Sequence, residues 1–297
     1  MPSVLYGMVE RVRAGTPIQA GPTPTASRRG TVAVLPIYGT ITQKGGGGFM
    51  DFLMGGGTST EKFGAMFSQV MADESVKAVV LDIDSPGGSV FGVPELADMI
   101  FKARGGKPII AVSNSLAASA AYWLASQADQ IVVSPSSEVG SIGVYALHED
   151  ISEMVKGMGV AVTLVSAGKH KTEANEVEPL SEEARDAIQA RVDDYYGMFV
   201  KAVARGRGVT ESAVRGGFGE GRVVGAVEAV KLNMADRVAT LGQTLQRFAG
   251  SGGATMLAEE PVEILVEAEP VVVAEEAPPE SKGVSPDIRR RRLELAR

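Results

Sequence analysis

Ser119 stands in "NSLAASAAYWLASQAD", Asn114 to Asp129, among residues small enough to admit a substrate backbone, and at the expected start of a helix. A hydroxyl in the first turns of a helix meets free N–H groups and the positive end of the macrodipole, which favour developing negative charge. Small residues also serve plain helix packing, so the serine by itself decides nothing. A second stretch, "DIDSPGGSV", Asp82 to Val90, leaves an apolar strand through Gly87 and Gly88. Two glycines let the chain turn sharply at a strand's carboxyl end and present backbone N–H donors that suit an oxyanion. A serine nucleophile needs a base. The two histidines, His148 and His170, are candidates, because a triad is assembled by the fold and not by spacing. Lys169 and Lys171 are the others, since a desolvated amine is neutral near physiological pH. Neither histidine has the one-face helical spacing of a zinc motif, so no metal is expected.

The elements that must position these residues follow from periodicity. Helical pattern in "EKFGAMFSQVMA", "PELADMIFKA" and the serine segment alternates with apolar strands "KAVVLDID", "KPIIAVSN" and "QIVVSP". Continuous β-branched runs between amphipathic helices indicate an α/β protein with a mainly parallel sheet buried on both faces. "TVAVLPIYGTI" predicts a strand before this series and "AVTLVSAG" one after it. A long helix is expected from about Ser181 to Arg205, and a last one near Gln243 to Phe248. "KGGGGFMDFLMGGG", Lys44 to Gly57, reads either as a flap with an apolar tip or as a loop folded onto the core.

The chain has 297 residues, 44% hydrophobic and 22% charged, which is ordinary for a folded protein. A formal net charge of -7 argues against nucleic acid as a partner. The absence of cysteine removes thiolate nucleophiles, disulfides and zinc-thiolate clusters. The first fifteen residues carry Glu10, Arg11 and Arg13 before any signal-peptide core, and no window approaches the roughly 18 apolar residues of a membrane span, so a cytoplasmic location is expected. Residues 1–30 read as a flexible arm, 31–250 as the folded domain, and 251–297 as a disordered acidic tail with a basic tip, "RRRRLELAR".

Three segments, "DIDSPGGSV", "SNSLAASAAYWLASQAD" with "SPSSEVGSIGV", and "SAGKHKTEANEVEPLSEEAR", together resemble in order and spacing the signal peptide peptidase A family of serine peptidases. The likeness continues into "GRVVGAVEAVKLNMADRV" and covers roughly residues 31 to 245. It implies a ClpP/crotonase-like fold of repeated ββα units and a Ser-Lys dyad, with no cofactor. Carried over by position, it makes Ser119 the nucleophile and Lys171 the base, with Lys169 the neighbouring amine to test. Ser141, in "GSIGV", matches a serine that orients the amine, and Gly87 with Gly88 matches the oxyanion turn. The single copy of the motifs, with no leader or anchor, is most similar to the bacteriophage and prophage branch that processes capsid and scaffold proteins. A polypeptide substrate and a homo-oligomer are therefore expected, with small or apolar substrate residues near the shallow site. The tail would then be a scaffold-like or self-cleaved extension. A crotonase-type acyl-CoA enzyme and a non-catalytic assembly scaffold are the alternatives the same fold allows.

Overall fold

The computed structural model of this protein describes residues 26–44, 57–248 and 260–261. The expectations for the arm before residue 26, for the glycine-flanked segment 45–56 and for the tail apart from 260–261 lie outside the described residues. Strand β1 (Ser27–Arg29) runs antiparallel to β2 (Val32–Thr42), the strand expected from "TVAVLPIYGTI". Next come β3 (Gly57–Ser59), helix α1 (Thr60–Ala72), β4 (Ala78–Gly88), α2 (Val93–Lys102), β5 (Ile109–Ala118) and the short helix α3 (Ala120–Ala125). After β6 (Gln130–Val133), β7 (Glu138–Gly140) and α4 (Ser152–Gly157) runs the 26-residue helix α5 (Glu182–Arg207). The described fold ends with α6 (Glu211–Gly217), β8 (Val223–Gly225), α7 (Ala226–Lys231), β9 (Arg237–Val238), α8 (Leu241–Phe248) and β10 (Glu260–Pro261).

The strand order is β10-β1-β2-β4-β5-β6-β9, and β2, β4, β5, β6 and β9 are mutually parallel. This is the expected α/β class: parallel neighbours need crossovers, and α1, α2 and α3 supply them. The strands are apolar on both faces because both are covered. Val32, Val34, Ala78, Val80, Ile110, Val112 and Val132 form a cluster with Leu245 of α8. On β4 and β5 the alternating residues Val79, Leu81, Ile83, Ile109 and Ala111 are also buried. At about 25 cal/mol per Å² of apolar area removed from water, such double-sided burial is the main stabilising term.

Two features of the sheet position the later chemistry. β5 pairs with β6 through Ile110–Ser113 and then with β7 through Leu116–Ala118, so its last residues leave one neighbour for another. The ladders on both sides of β4 are interrupted, between Tyr38 and Thr40 on β2 and between Ile83 and Ser85 on β4 itself. The sheet therefore opens at the carboxyl ends of β4 and β5.

The long helix fulfils its sequence signals. Ser181 caps it, accepting the Ala184 N–H at 3.2 Å; Glu182 and Glu183 occupy the first turn, Arg205 and Arg207 the last, and Gly208 ends it at φ 66°. Its far half packs on α3: the Trp123 and Phe199 rings stack with centroids 4.5 Å apart, and a Cβ on Gly206 would lie 2.0 Å from the Ser126 carbonyl oxygen. Arg104 gathers the carbonyls at that crossing, donating to Gln127 at 2.7 Å, Gly206 at 3.1 Å and Ser126 at 3.2 Å, and also to Ala128.

One expected element does not form. "AVTLVSAG", residues 161–168, is exposed and joins no sheet, with Val165 94% exposed. Its β-branched composition is that of a strand, but among the described residues no strand pairs with it, and a strand exists only by pairing.

Candidate active site

The strand-to-helix turn after β5 is made by Ser119 itself. Its backbone sits at φ 53° and ψ -124°, a conformation costly for any residue with a Cβ. The surroundings fix it there: the Ser119 N–H donates to the Gly140 carbonyl at 2.8 Å, and its carbonyl accepts from the Trp123 N–H at 2.9 Å. Strand β5 on one side and helix α3 on the other leave the hydroxyl half-buried at the turn's apex, at the start of the helix as the sequence suggests.

Gly87 and Gly88 lie against that apex. A Cβ on Gly87, whose φ is 93°, would come within 2.7 Å of the Ser119 Cβ and 2.9 Å of the Ala120 nitrogen. A Cβ on Gly88 would sit 2.1 Å from the Ile41 carbonyl oxygen. Both positions thus require glycine for close backbone approach. Their amides differ. The Gly87 N–H donates to Ser85 Oγ at 3.1 Å, and Ser85 Oγ donates to the Gly39 carbonyl at 2.6 Å. Gly88 pairs in parallel register with Ile41, whose carbonyl accepts from the Ser89 N–H at 2.9 Å. In such a ladder Gly88's own amide points away from β2. A further donor escaped sequence reading: the Ala120 N–H, first of α3, has no acceptor among the described residues. A backbone amide has no side-chain signature; its signal is only its place immediately after a serine at a helix start.

Ser141 completes the group. It too has a positive φ, 53°, and its N–H donates to the Arg222 carbonyl at 2.8 Å, which ties the segment after β7 to that before β8. Ser119, Ser141, Gly87 and Gly88 all line one cavity of about 880 Å³, with Thr40, Val144 and the α5 side chains Ile188, Arg191, Val192 and Tyr195. Beneath it, Asp82 of β4 accepts from Asn114 Nδ2 of β5 at 2.7 Å and from the Tyr38 hydroxyl of β2, bracing three strands. Burial pushes the Asp82 carboxyl above its ordinary range, against the pull of those two donors.

The candidate bases stand elsewhere. Lys171 is exposed and does not line the cavity. Lys169 donates to Glu183 Oε1 at 2.7 Å, and that bond and charge hold its ammonium above the usual lysine range, against the neutral form that a general base needs. His148 contacts the Asn175 carbonyl oxygen at 3.0 Å and His170 Nδ1 lies 3.2 Å from Glu173 Oε1; neither lines the cavity. His170, Glu173 and Glu183 could offer metal-ligand atoms within 4.8 Å of one another, but the Lys169 ammonium already occupies Glu183.

Ser119 thus places a hydroxyl on a strained strand-to-helix turn at the wall of a cleft that Gly87 and Gly88 also line, an arrangement that suits nucleophilic serine chemistry. The chain belongs to peptidase family S49, whose family pattern matches residues 102–253 and so includes Ser119, Ser141 and Lys171. It is 40% identical over 185 residues to the head-tail preconnector protein GP5 of Enterobacteria phage P21, covering 62% of this chain and 36% of that protein. It is 31% identical over 207 residues to the capsid assembly protease C of Escherichia phage lambda, covering 70% of this chain and 46% of that protein. The chain thus spans less than half the length of these two relatives. A ClpP1 mutant from Listeria monocytogenes superposes with a TM-score of 0.43 at 13% identity, over 71% of this chain and 94% of that one. No helix among the described residues is long and apolar enough to cross a membrane.

Proposed function

We propose that this protein is a serine endopeptidase in which Ser119 is the nucleophile and Lys171 the general base, acting from a folded domain of residues 31–250. The observation that carries the reading is the strained Ser119 turn at the wall of a cavity that Gly87, Gly88 and Ser141 also line. The Lys171 amine takes the Ser119 Oγ proton, and the oxygen attacks the substrate's peptide carbonyl carbon. The tetrahedral oxyanion accepts from the Gly88 and Ala120 N–H groups, while Gly87 contributes the close approach that brings them together. The lysine ammonium then protonates the leaving nitrogen, and water, deprotonated by the same amine, releases the acyl group. Ser141 orients the amine from the cavity wall.

Lys171 is exposed and outside the cavity of its own chain, which supports a reading in which a second copy supplies the amine that acts. The exposed apolar run of Val160, Val162, Leu164 and Val165 just before it, without sheet partners, supports such an assembly: it is the surface a neighbouring chain covers. The substrates are phage or prophage head proteins, a reading supported by the two phage relatives, and the place of action is the host cytoplasm or the prohead. Membership of a peptidase family favours peptide over thioester chemistry.

The test is cleavage of labelled casein and processing of co-expressed phage head proteins by wild type, Ser119→Ala, Lys171→Ala and Lys169→Ala. Ser119→Ala and Lys171→Ala should each lose about 10³-fold or more in rate, with Lys169→Ala close to wild type. Activity surviving in Lys171→Ala but not in Lys169→Ala would assign the wrong amine, and activity surviving in Ser119→Ala would remove the nucleophile.

A further inference from the structure

The wall of the Ser119 cavity opposite the glycines is built by α5. Ile188, Val192 and Tyr195 recur along it at helical spacing, and all three are half-buried. Tyr195 is held edge-on against Phe91, ring centroids 6.3 Å apart, so this wall is braced from the α2 side. Between these apolar positions stands Arg191, exposed and without an ion pair or hydrogen bond among the described residues. Among the described residues that line the cavity, Arg191 is the one that carries a formal charge. Asp194, three residues on and so on the same helix face, makes no ion pair or hydrogen bond with it and does not line this cavity, and Asp193 accepts from Gln189 at 2.8 Å and does not line it either. A guanidinium that shares a cleft with the proposed nucleophile and has no partner among the described residues is a ready carboxylate receptor, because its planar donors match a carboxylate two to two.

We propose that Arg191 is a specificity-determining residue that receives a carboxylate of the substrate, while Ile188, Val192 and Tyr195 take an adjoining apolar side chain. The substrate class is then an acidic-apolar polypeptide, and the expectation of a merely small or apolar preference is too broad. The carboxylate comes from a Glu or Asp side chain or from the polypeptide's own C-terminus; the chemistry at Arg191 is the same. This inference rests on the peptidase reading for its biological sense, but binding tests it separately.

The probes are fluorescein-labelled dodecapeptides of Ala and Val carrying one Glu or one Gln, scanned along the sequence, each made as C-terminal acid and amide. Binding is read by anisotropy on Ser119→Ala and on Ser119→Ala/Arg191→Gln; cleavage is read as kcat/KM on wild type, Arg191→Gln and Arg191→Lys. The expected result is about a tenfold preference for one carboxylate form over its neutral twin, lost in Arg191→Gln, partly kept in Arg191→Lys and weakened by added salt. A preference for Glu over Gln assigns an internal side chain, and one for acid over amide assigns the terminus. Equal affinity within both pairs, no measurable binding, or a preference unchanged by Arg191→Gln overturns the proposal. Cleavage without any preference would leave the peptidase reading standing and this one refuted; preferential binding with no cleavage by wild type would do the reverse.

Discussion

At Ser119 two demands on one residue conflict. Its φ of 53° is a position where a Cβ is disfavoured, yet the hydroxyl that the proposed chemistry needs is carried by that Cβ. Strain of about 1–3 kcal/mol is stored there, and glycine would relieve it at about 0.5–1 kcal/mol of extra chain entropy. Ser119→Gly should therefore raise stability by about 1 kcal/mol in denaturant titration while abolishing peptide cleavage. A variant that is destabilised, or that still cleaves, contradicts the assignment. Much of this scale was legible as motif. The glycine pair was visible because contact restricts its residue types: a methyl would come within 2.7 Å of a neighbour at Gly87 and 2.1 Å at Gly88. The serine was visible because it interrupts a run of alanines. Ala120 was not legible, because what it offers is a main-chain N–H, and alanine elsewhere in the run looks the same. Between Lys169 and Lys171 composition could not choose; the Glu183 bond to Lys169 is a tertiary contact across fourteen residues of chain.

The elements show which sequence signals survive folding. Helix α5 was readable nearly to its ends because Ser181, its opening glutamates and Gly208 act locally on neighbouring backbone groups. The strand expected at 161–168 was not realised, because strand formation depends on a partner that sequence periodicity does not specify. The C-terminal end of α5 illustrates a further device that sequence did not disclose. Arg207 donates to both Asp236 oxygens, at 3.0 and 2.8 Å, and Asp236 accepts the Ile131 N–H at 2.6 Å, so one carboxylate joins the helix end to the start of β6. Burial pushes the Asp236 carboxyl up, but the Arg207 and Ile131 donors outweigh it and hold the group below the usual carboxylate range. A depressed folded-state pKa gives stability that is present above the unfolded value near pH 4 and is lost as pH falls through the folded one. Asp236→Asn should thus cost about 1–2 kcal/mol at pH 7, discounted for partial exposure. The gap to wild type should close on acidification below about pH 4. A gap that stays constant down to pH 2 in thermal melts would show that the carboxylate's charge is not what joins the two elements.

On the scale of the molecule, fold class was accessible from alternating pattern, whereas assembly was accessible only as an implication of resemblance. The described residues place the proposed nucleophile at a cleft and leave the proposed base on an exposed segment next to an apolar run that joins no strand among them. The proposed site, divided in this way, would be complete only between copies, and division makes a distinctive prediction. If Ser119 of one copy works with Lys171 of another, a subunit lacking the serine and a subunit lacking the lysine are complementary. The most direct measurement is therefore the peptidase rate of Ser119→Ala and Lys171→Ala proteins, each alone and after dissociation and reassembly together in equal amounts. The account predicts negligible rates for each alone and, for random mixing, recovery to about a quarter of wild type, because one site in four then draws both groups intact. Mixed assemblies that form, as light scattering and a tag on one subunit would verify, yet stay as inactive as their parents would contradict it.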